Sequence, residues 1–314
     1  MSFLLILILI AGVFAVVGCG GKPDASSPAD TSSPSGASVP PSSSDASLSN
    51  IMEKGVLVIG CDDTFAPMGF RDIGGRVVGF DIDLANAVAD YIGVKLEVKA
   101  IDWRTKELEL SNGNIDVIWN GYTITAERNK QVEFTKPYLK NEQVIVVRAD
   151  SDIKAKADLA GLVIGCQVES AAEAAIRADD MFFSSLAELK IYDEYQDASL
   201  AELRTYDEYQ NALMDLSVSN RIAAVAVDRV LINYIMTQQP DTYRVLDETL
   251  TAEYYGIGCP KDAVALREAI DGALDVLQQN GAVEGIADKW FGENIVIRDI
   301  DKLSQQDIEN LENR

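Results

Sequence analysis

Between residues 56 and 291 short apolar runs alternate with segments in which apolar side chains recur every three or four positions. Val56–Cys61, Lys95–Ala100, Ile115–Trp119, Gln143–Arg148, Val163–Cys166 and Ile222–Val227 read as strands by length and content. Asp81–Ile92 reads as a helix, with Leu84, Ala85, Val88, Ala89 and Ile92 on one face. Further helices are predicted over Ser170–Ala178, Val230–Gln238 and Ala263–Gln279, the last ended by Asn280-Gly281 and followed by a short helix to Trp290-Phe291. Alternation of this kind predicts an α/β fold with mainly parallel sheets. The periodicity lapses near 149–157, and some 260 residues is long for one open sheet, so two lobes are expected.

The pattern is different at the front. Residues 3–17 carry no polar side chain, and Gly18, Cys19 and Gly20 follow. A membrane-spanning helix needs about 20 apolar residues, so the run fits the core of a secretion signal better. Val16-Val17-Gly18-Cys19 resembles a bacterial lipobox, in which cleavage exposes a cysteine that carries lipid. Valine replaces the commoner leucine, and no Lys or Arg precedes the run. Residues 20–50 then hold 11 Ser, 5 Pro, 4 Ala and 3 Gly without an aromatic. Such a stretch cannot bury enough apolar surface to offset its ordering entropy. The expectation is a signal peptide over 1–18, a lipidated Cys19, and a disordered linker over 19–50 that leashes a soluble domain to a membrane surface.

Ser185–Ala198 (SLAELKIYDEYQDA) is followed at once by Ser199–Ala212 (SLAELRTYDEYQNA), eleven identities in fourteen. Solenoids need three or more copies, so this reads as a local duplication. Fourteen residues are close to four helical turns, which predicts that one copy is a surface excursion inserted in a helix.

Composition narrows the chemistry. The 314 residues include 50 acidic and 27 basic side chains, no histidine, and a net charge of −23. Without histidine there is no Ser-His-Asp or Cys-His nucleophile and no His-ligated metal. The acidic balance argues against a phosphate-binding surface. Four cysteines form no CxxC pair. Those after Cys19, namely Cys61, Cys166 and Cys259, are expected as buried free thiols. No GxxxxGK[ST] pattern occurs, so no nucleotide is hydrolysed by that route.

Four segments carry candidate chemistry. Cys61-Asp62-Asp63-Thr64-Phe65 follows a buried strand, and strand ends in open α/β sheets are where ligands bind. Asp102-Trp103 follows another. Asn120-Gly121-Tyr122-Thr123-Ile124-Thr125-Ala126-Glu127-Arg128 combines a glycine, hydroxyls and a guanidinium fork suited to a carboxylate. Asp228 ends a strand and suits an ammonium group. Together they compose a trap for a zwitterion. Duller readings stay open residue by residue: Arg128 as a solvated charge, Asp228 as a helix cap, Phe65 and Trp103 as core. Asp62-Asp63 lacks the further oxygen cluster that a metal site needs.

The segments GCDDTFAPMGF, GRVVGFDIDLANAVADYIGVKLE, GNIDVIWNGYTITAERNKQVEFTKPYL and NGAVEGIADKWFGEN resemble the extracytoplasmic polar-amino-acid-binding proteins of ABC importers, bacterial solute-binding family 3. The likeness runs from about residue 54 to 293. It implies an α/β, two-lobed periplasmic-binding-protein-like fold with a hinge of two crossing segments. Residues 51–147 and 251–297 would form lobe 1 and 148–250 lobe 2, followed by a tail over 298–314.

Carried over by position, the resemblance implies carboxylate recognition by Arg128, with Gly121 and Thr123 beside it. It implies an ammonium site at Asp228, stacking by Phe65 and Trp103, and side-chain selection at Asp62. Asn120 belongs to the same set, as do Ser170 and Ala171 at a helix start, where N–H groups and the helix dipole favour an anion.

Three departures fall in lobe 2. Glu169 stands where the family usually has glycine, Asn220-Arg221-Ile222-Ala223 replaces a Gly-Arg-Val/Ile-Asp pattern, and the repeat lies in the same lobe. The resemblance implies a non-enzymatic lipoprotein receptor for a polar amino acid, without cofactor or metal. It would be monomeric, anchored outside the cytoplasmic membrane, and would deliver its ligand to a permease and its ATPase. Asp62 and Asp63 favour a basic or amide side chain. Two alternatives are a sensing lobe for a signalling partner and a cyclohexadienyl-dehydratase-like enzyme using Glu169.

Overall fold

The computed structural model describes residues 45–192, 209–219, 221–292 and 295–297. The expected signal peptide, Cys19, the expected linker up to residue 44, repeat positions 193–208, Asn220 and the tail from 298 lie outside the described residues.

Helix α1 (Ser47–Lys54) leads into β1 (Val56–Cys61). Positions 47–50, read from sequence as linker, thus form the first half of a helix whose Ile51 is buried and whose Gly55 closes it in the left-handed region. A small antiparallel sheet follows, of β2 (Thr64–Phe65), β3 (Gly69–Arg71) and β4 (Val77–Val78). Next come α2 (Phe80–Ile92), β5 (Lys95–Ala100), α3 (Lys106–Ser111), β6 (Val117–Ile118), α4 (Ala126–Gln131), β7 (Val132–Phe134) and β8 (Leu139–Arg148). The second half continues through β9 (Val163–Gln167), α5 (Ala171–Ala178), α6 (Asp180–Ser185), β10 (Glu188–Tyr192), α7 (Tyr209–Met214), β11 (Ala224–Asp228) and α8 (Arg229–Gln238). It closes with β12 (Tyr243–Tyr255), β13 (Gly258–Pro260), α9 (Val264–Gln279) and α10 (Ala282–Phe291).

Two five-stranded sheets result, in the orders β5-β1-β6-β13-β7 and β10-β9-β11-β8-β12. β5, β1 and β6 are parallel, as are β10, β9 and β11, while β13, β8 and β12 pair antiparallel. The chain passes from the first sheet to the second between β7 and β8 and returns between β12 and β13. β8 and β12 pair with each other from Leu139↔Tyr255 to Gln143↔Thr251, which ties the two passages together. Lobe 1 is built round Leu57 and Ile59 of β1, Leu84 and Val88 of α2, and Ile270 of α9, all fully buried. A separate cluster in lobe 2 packs Ile145, Ile164, Cys166, Ile176 and Ala226.

Of the repeat, the described parts are the strand β10 (ELKIY) in the first copy and the start of helix α7 (YQNA) in the second, so the two copies do not lie in one continuous helix. The remainder, where an inserted excursion was expected, lies outside the described residues. Cys61, Cys166 and Cys259 are buried free thiols.

Candidate functional site

One cavity between the lobes is lined by Asp62, Phe65, Trp103, Asn120, Gly121, Thr123, Arg128, Ser170, Ala171 and Asp228, together with Gln143, Gln167 and Tyr209. The structure thus brings together all ten residues singled out in the sequence. The cavity itself holds about 20 Å³, room for little more than a water, so its walls stand drawn together.

Arg128 is set by its local turn. Thr125 is the N-cap of α4, and its hydroxyl accepts the Arg128 N–H at 3.1 Å. The guanidinium then lies over the Tyr122 ring, 4.7 Å from its centre. It donates from Nη1 to the Thr123 carbonyl and from Nη2 to the Glu169 carbonyl, both at 3.0 Å. A cation over an aromatic face with carbonyls on its edges is fixed in direction, not a solvated charge. Tyr122 is anchored in turn by donating to Glu107 Oε1 at 2.7 Å. Beneath it the buried Lys106 donates to the Trp103 carbonyl at 3.0 Å. Burial, with the charge of Arg128, pushes this lysine down to about 8.

Gly121 has φ +57°, and a Cβ there would meet Phe65 Cε1 at 2.7 Å and Tyr255 at 3.1 Å. Only glycine combines that conformation with so close an approach of backbone to ring. Its N–H donates to Asp81 Oδ2 at 2.7 Å, which fixes the loop that carries Thr123.

Asp62 is buried after β1. Its Oδ1 accepts from the Thr64 hydroxyl at 2.6 Å, and its Oδ2 accepts from Gln167 Nε2 of the other lobe at 2.8 Å. Burial pushes its carboxyl above the usual range. Asn120 lines the cavity, but its Oδ1 accepts the Asp62 N–H at 3.2 Å, so it also steadies the acid. Phe65 is buried and meets the Tyr209 ring of lobe 2 at 5.8 Å. Trp103 is half-buried, edge-on to Tyr122. Both aromatics thus serve as packing and as walls.

Asp228 sits at the N-cap position of α8, yet its side chain makes no capping bond. Its Oδ1 accepts from Asn141 Nδ2 at 2.9 Å, from Gln143 Nε2 at 2.8 Å and from the Tyr255 hydroxyl; its Oδ2 accepts from the Tyr209 hydroxyl at 3.0 Å. Burial pushes this carboxyl up as well. At the opposite wall Ser170 caps α5: its hydroxyl accepts from the Glu173 N–H and donates to the Gln167 carbonyl. That leaves the first N–H groups of the helix as the donors it presents.

Glu169 has φ +54°, the left-handed region where glycine is at ease. Its side chain is exposed and does not line the cavity. Only its carbonyl reaches the site, through Arg128. The side chain on which the dehydratase alternative relied as proton donor is thus not among those that line the cavity.

Gln143, Gln167 and Tyr209 were missed in the sequence. Gln143 opens the apolar run of β8 and Gln167 closes β9, so each is a buried polar residue at the edge of an apolar run, and that was the available signal. Tyr209 was concealed by the repeat, where Tyr195 stands at the matching position of the first copy.

The profile of the bacterial extracellular solute-binding proteins, family 3, matches residues 57–293, and the chain belongs to this family. It is 27% identical over 262 residues to the L-cystine-binding protein TcyJ of Escherichia coli K12, covering 83% of this chain and 91% of the relative. A crystal structure of an ABC uptake transporter substrate-binding protein from Streptococcus pneumoniae with bound histidine superposes with a TM-score of 0.72 and 35% identity. That match covers 81% of this chain and 99% of the other. An ancestral amino-acid-binding protein described as a precursor of cyclohexadienyl dehydratase superposes with a TM-score of 0.67 and 30% identity, covering 78% and 99%. The fold is the two-lobed periplasmic-binding-protein type.

Proposed function

We propose that the chain is the substrate-binding lipoprotein of an amino-acid ABC importer, not an enzyme. It takes one polar L-amino acid between its lobes and delivers it to the permease. The observation that carries this is the polarity of one cavity. At one wall Arg128 and the α5 N-terminus offer N–H donors for a carboxylate. At another, Asp228 is an acceptor for an ammonium. Arg128, Thr123, Ser170 and Ala171 hold the carboxylate, Gly121 lets the backbone pass close beside it, Asp228 holds the amino group, and Phe65 and Trp103 sandwich the side chain. A fully ionic ligand is suited to such a site because charge-assisted bonds in it are worth about 1.5–3 kcal/mol each.

Asp62 and Gln167 read the end of the side chain. A buried carboxyl raised by desolvation gains most from a cationic partner, and the Gln167 amide suits a cation or an amide ligand. The fit is therefore to a basic or amide side chain. Cys19 bears the lipid, and the chain stands on the outer face of the membrane beside its permease.

The test is calorimetry with the L-amino acids, ornithine and cystine. Saturation by one or a few polar members is expected. Arg128→Ala should weaken that binding roughly 10- to 100-fold, as loss of one charge-assisted bond requires. Asp62→Asn should weaken a cationic ligand and spare glutamine. Absence of binding across the panel would sink the receptor reading and leave a sensor for some other ligand.

A further inference from the structure

Behind the cavity the structure places a second buried acid that the amino-acid site does not account for. Glu253 of β12 and Asp228 of β11 flank β8, and both are nearly inaccessible, 2% and 5% exposed. From β8, Asn141 Nδ2 lies 2.9 Å from Asp228 Oδ1 and 2.6 Å from Glu253 Oε1. Gln143 Nε2 lies 2.8 Å from the same two oxygens. Two oxygens that share the same two donors are close neighbours. Asn141 Nδ2 is also 2.7 Å from the Tyr255 hydroxyl, so its two hydrogens serve three oxygens.

Two ionised carboxylates so placed would repel one another at low local dielectric. One proton between them removes the repulsion and adds the missing donor. We propose that Glu253 and Asp228 share one proton in the ligand-free protein, and that an amino acid's ammonium docking on Asp228 displaces it to solvent. Glu253 is then a positioning residue of the amino-group end, an inference that rests on the amino-acid-receptor reading above.

The balance is simple. The pair holds one negative charge with its proton, and two without it plus one positive ligand, so the net charge of the buried site is conserved. An independent feature points to the same place: Gln143 Oε1, of a fully buried side chain that lines the cavity, has no hydrogen-bond partner and can accept from an ammonium.

The surrounding groups favour the proton on Glu253. Burial and the charge of Asp228 push it up to about 8. Asp228 is raised by burial but is supported by the Tyr209 and Tyr255 hydroxyls. The Thr123 hydroxyl donates to Glu253 Oε2 at 3.1 Å. On the α5 side, Glu127 and Asp179 line the same groove as Glu253, and Asp179 is paired with Lys156. Glu142, next in β8, is paired with Arg229. Arg128 is directed to the Thr123 and Glu169 carbonyls.

Linkage fixes the sign. The pair loses its proton at higher pH when free than when an ammonium sits beside Asp228. Between those two values binding releases a proton, and affinity rises with pH by up to about tenfold per unit; above the upper one it levels off.

The experiment is calorimetric titration of the full chain with L-arginine, L-histidine, L-cystine and L-glutamine at pH 6 to 8. Each is run in phosphate and in Tris, which differ widely in ionisation heat. For the member that binds, the heats should differ between buffers by close to one proton's worth at pH 7. Glu253→Gln, checked for a wild-type melting transition, should bind with heats that no longer depend on buffer and an affinity that no longer rises with pH. Equal heats in both buffers for the wild type would overturn the shared proton while leaving the receptor reading intact. A buffer difference that persists in Glu253→Gln would overturn the assignment to Glu253. No heat with any of the four, nor with the wider panel, would sink the receptor reading and this proposal together.

Discussion

Asp81 stands fully buried in the first turn of α2, where burial pushes its carboxyl up to about 7. Its Oδ2 accepts the Gly121 N–H at 2.7 Å, so the acid holds the loop that carries Thr123 and leads to Arg128. The folded protein binds this proton more tightly than the unfolded chain, whose value is near 4. Its contribution is therefore complete below about pH 4 and is lost as pH rises through 7, a swing on the order of 4 kcal/mol. Asp81→Asn keeps an acceptor for Gly121 and has no charge to desolvate. In denaturant melts its stability relative to wild type should improve steadily from pH 4 to pH 8. A difference that stays flat would mean that Asp81 is ionised throughout. Burial, not sequence, reveals this group. From the letters alone Arg128 and Asp228 carried a readable purpose because their spacing matched a known pattern. Asp81 and Glu253 sit in the chain as ordinary acids and become unusual only through what packs on them.

At the level of elements, the repeat offers a direct test. The first copy is used for its strand and the second for its helix, so the fourteen residues 193–206 separate two halves of one unit. Deleting them joins Tyr192 to Asp207 and restores SLAELKIYDEYQNA once, with Tyr209 still set against Phe65 and Asp228. The deletion leaves two residues where sixteen now stand between β10 and α7, and a shorter connection costs less entropy to close. The shortened protein should melt higher by circular dichroism and keep its ligand affinity. A lower melting point would show that the extra copy packs usefully. The same elements show what patterning can reveal. β1, β5, α2 and α9 were legible because they bury one face or a whole run, and the period is written in their side chains. β12 was not: its thirteen residues include Asp247, Glu248 and Glu253, and its register on β8 shifts between Val245 and Thr249. It is held by pairing with β8, which no local pattern encodes.

For the whole molecule the question is what holds the lobes together. Across the cleft run the Asp62–Gln167 bond, the Arg128–Glu169 bond and two ring contacts, Phe65 with Tyr209 and Phe70 with Tyr234. Three of these belong to the cavity. The fourth does not: Phe70 of β3 meets Tyr234 of α8 at 5.6 Å, and neither residue lines the site. Among the described residues these contacts are partly polar and partly aromatic, and in the proposed receptor the closed form would be one state of a two-state element that ligand stabilises. An aromatic pair is worth about 0.5–1.5 kcal/mol beyond its buried area. Removing it by Phe70→Ala should lower the closed fraction and weaken apparent affinity by about 2- to 10-fold, since apparent Kd scales inversely with the competent fraction. The loss should appear with every ligand alike, and small-angle scattering of the ligand-free variant should report a larger radius of gyration than wild type. A variant with unchanged affinity and radius would place the Phe70–Tyr234 contact in both states. Closure would then rest on the groups that touch the ligand, and specificity and hinge motion would be the work of the same side chains.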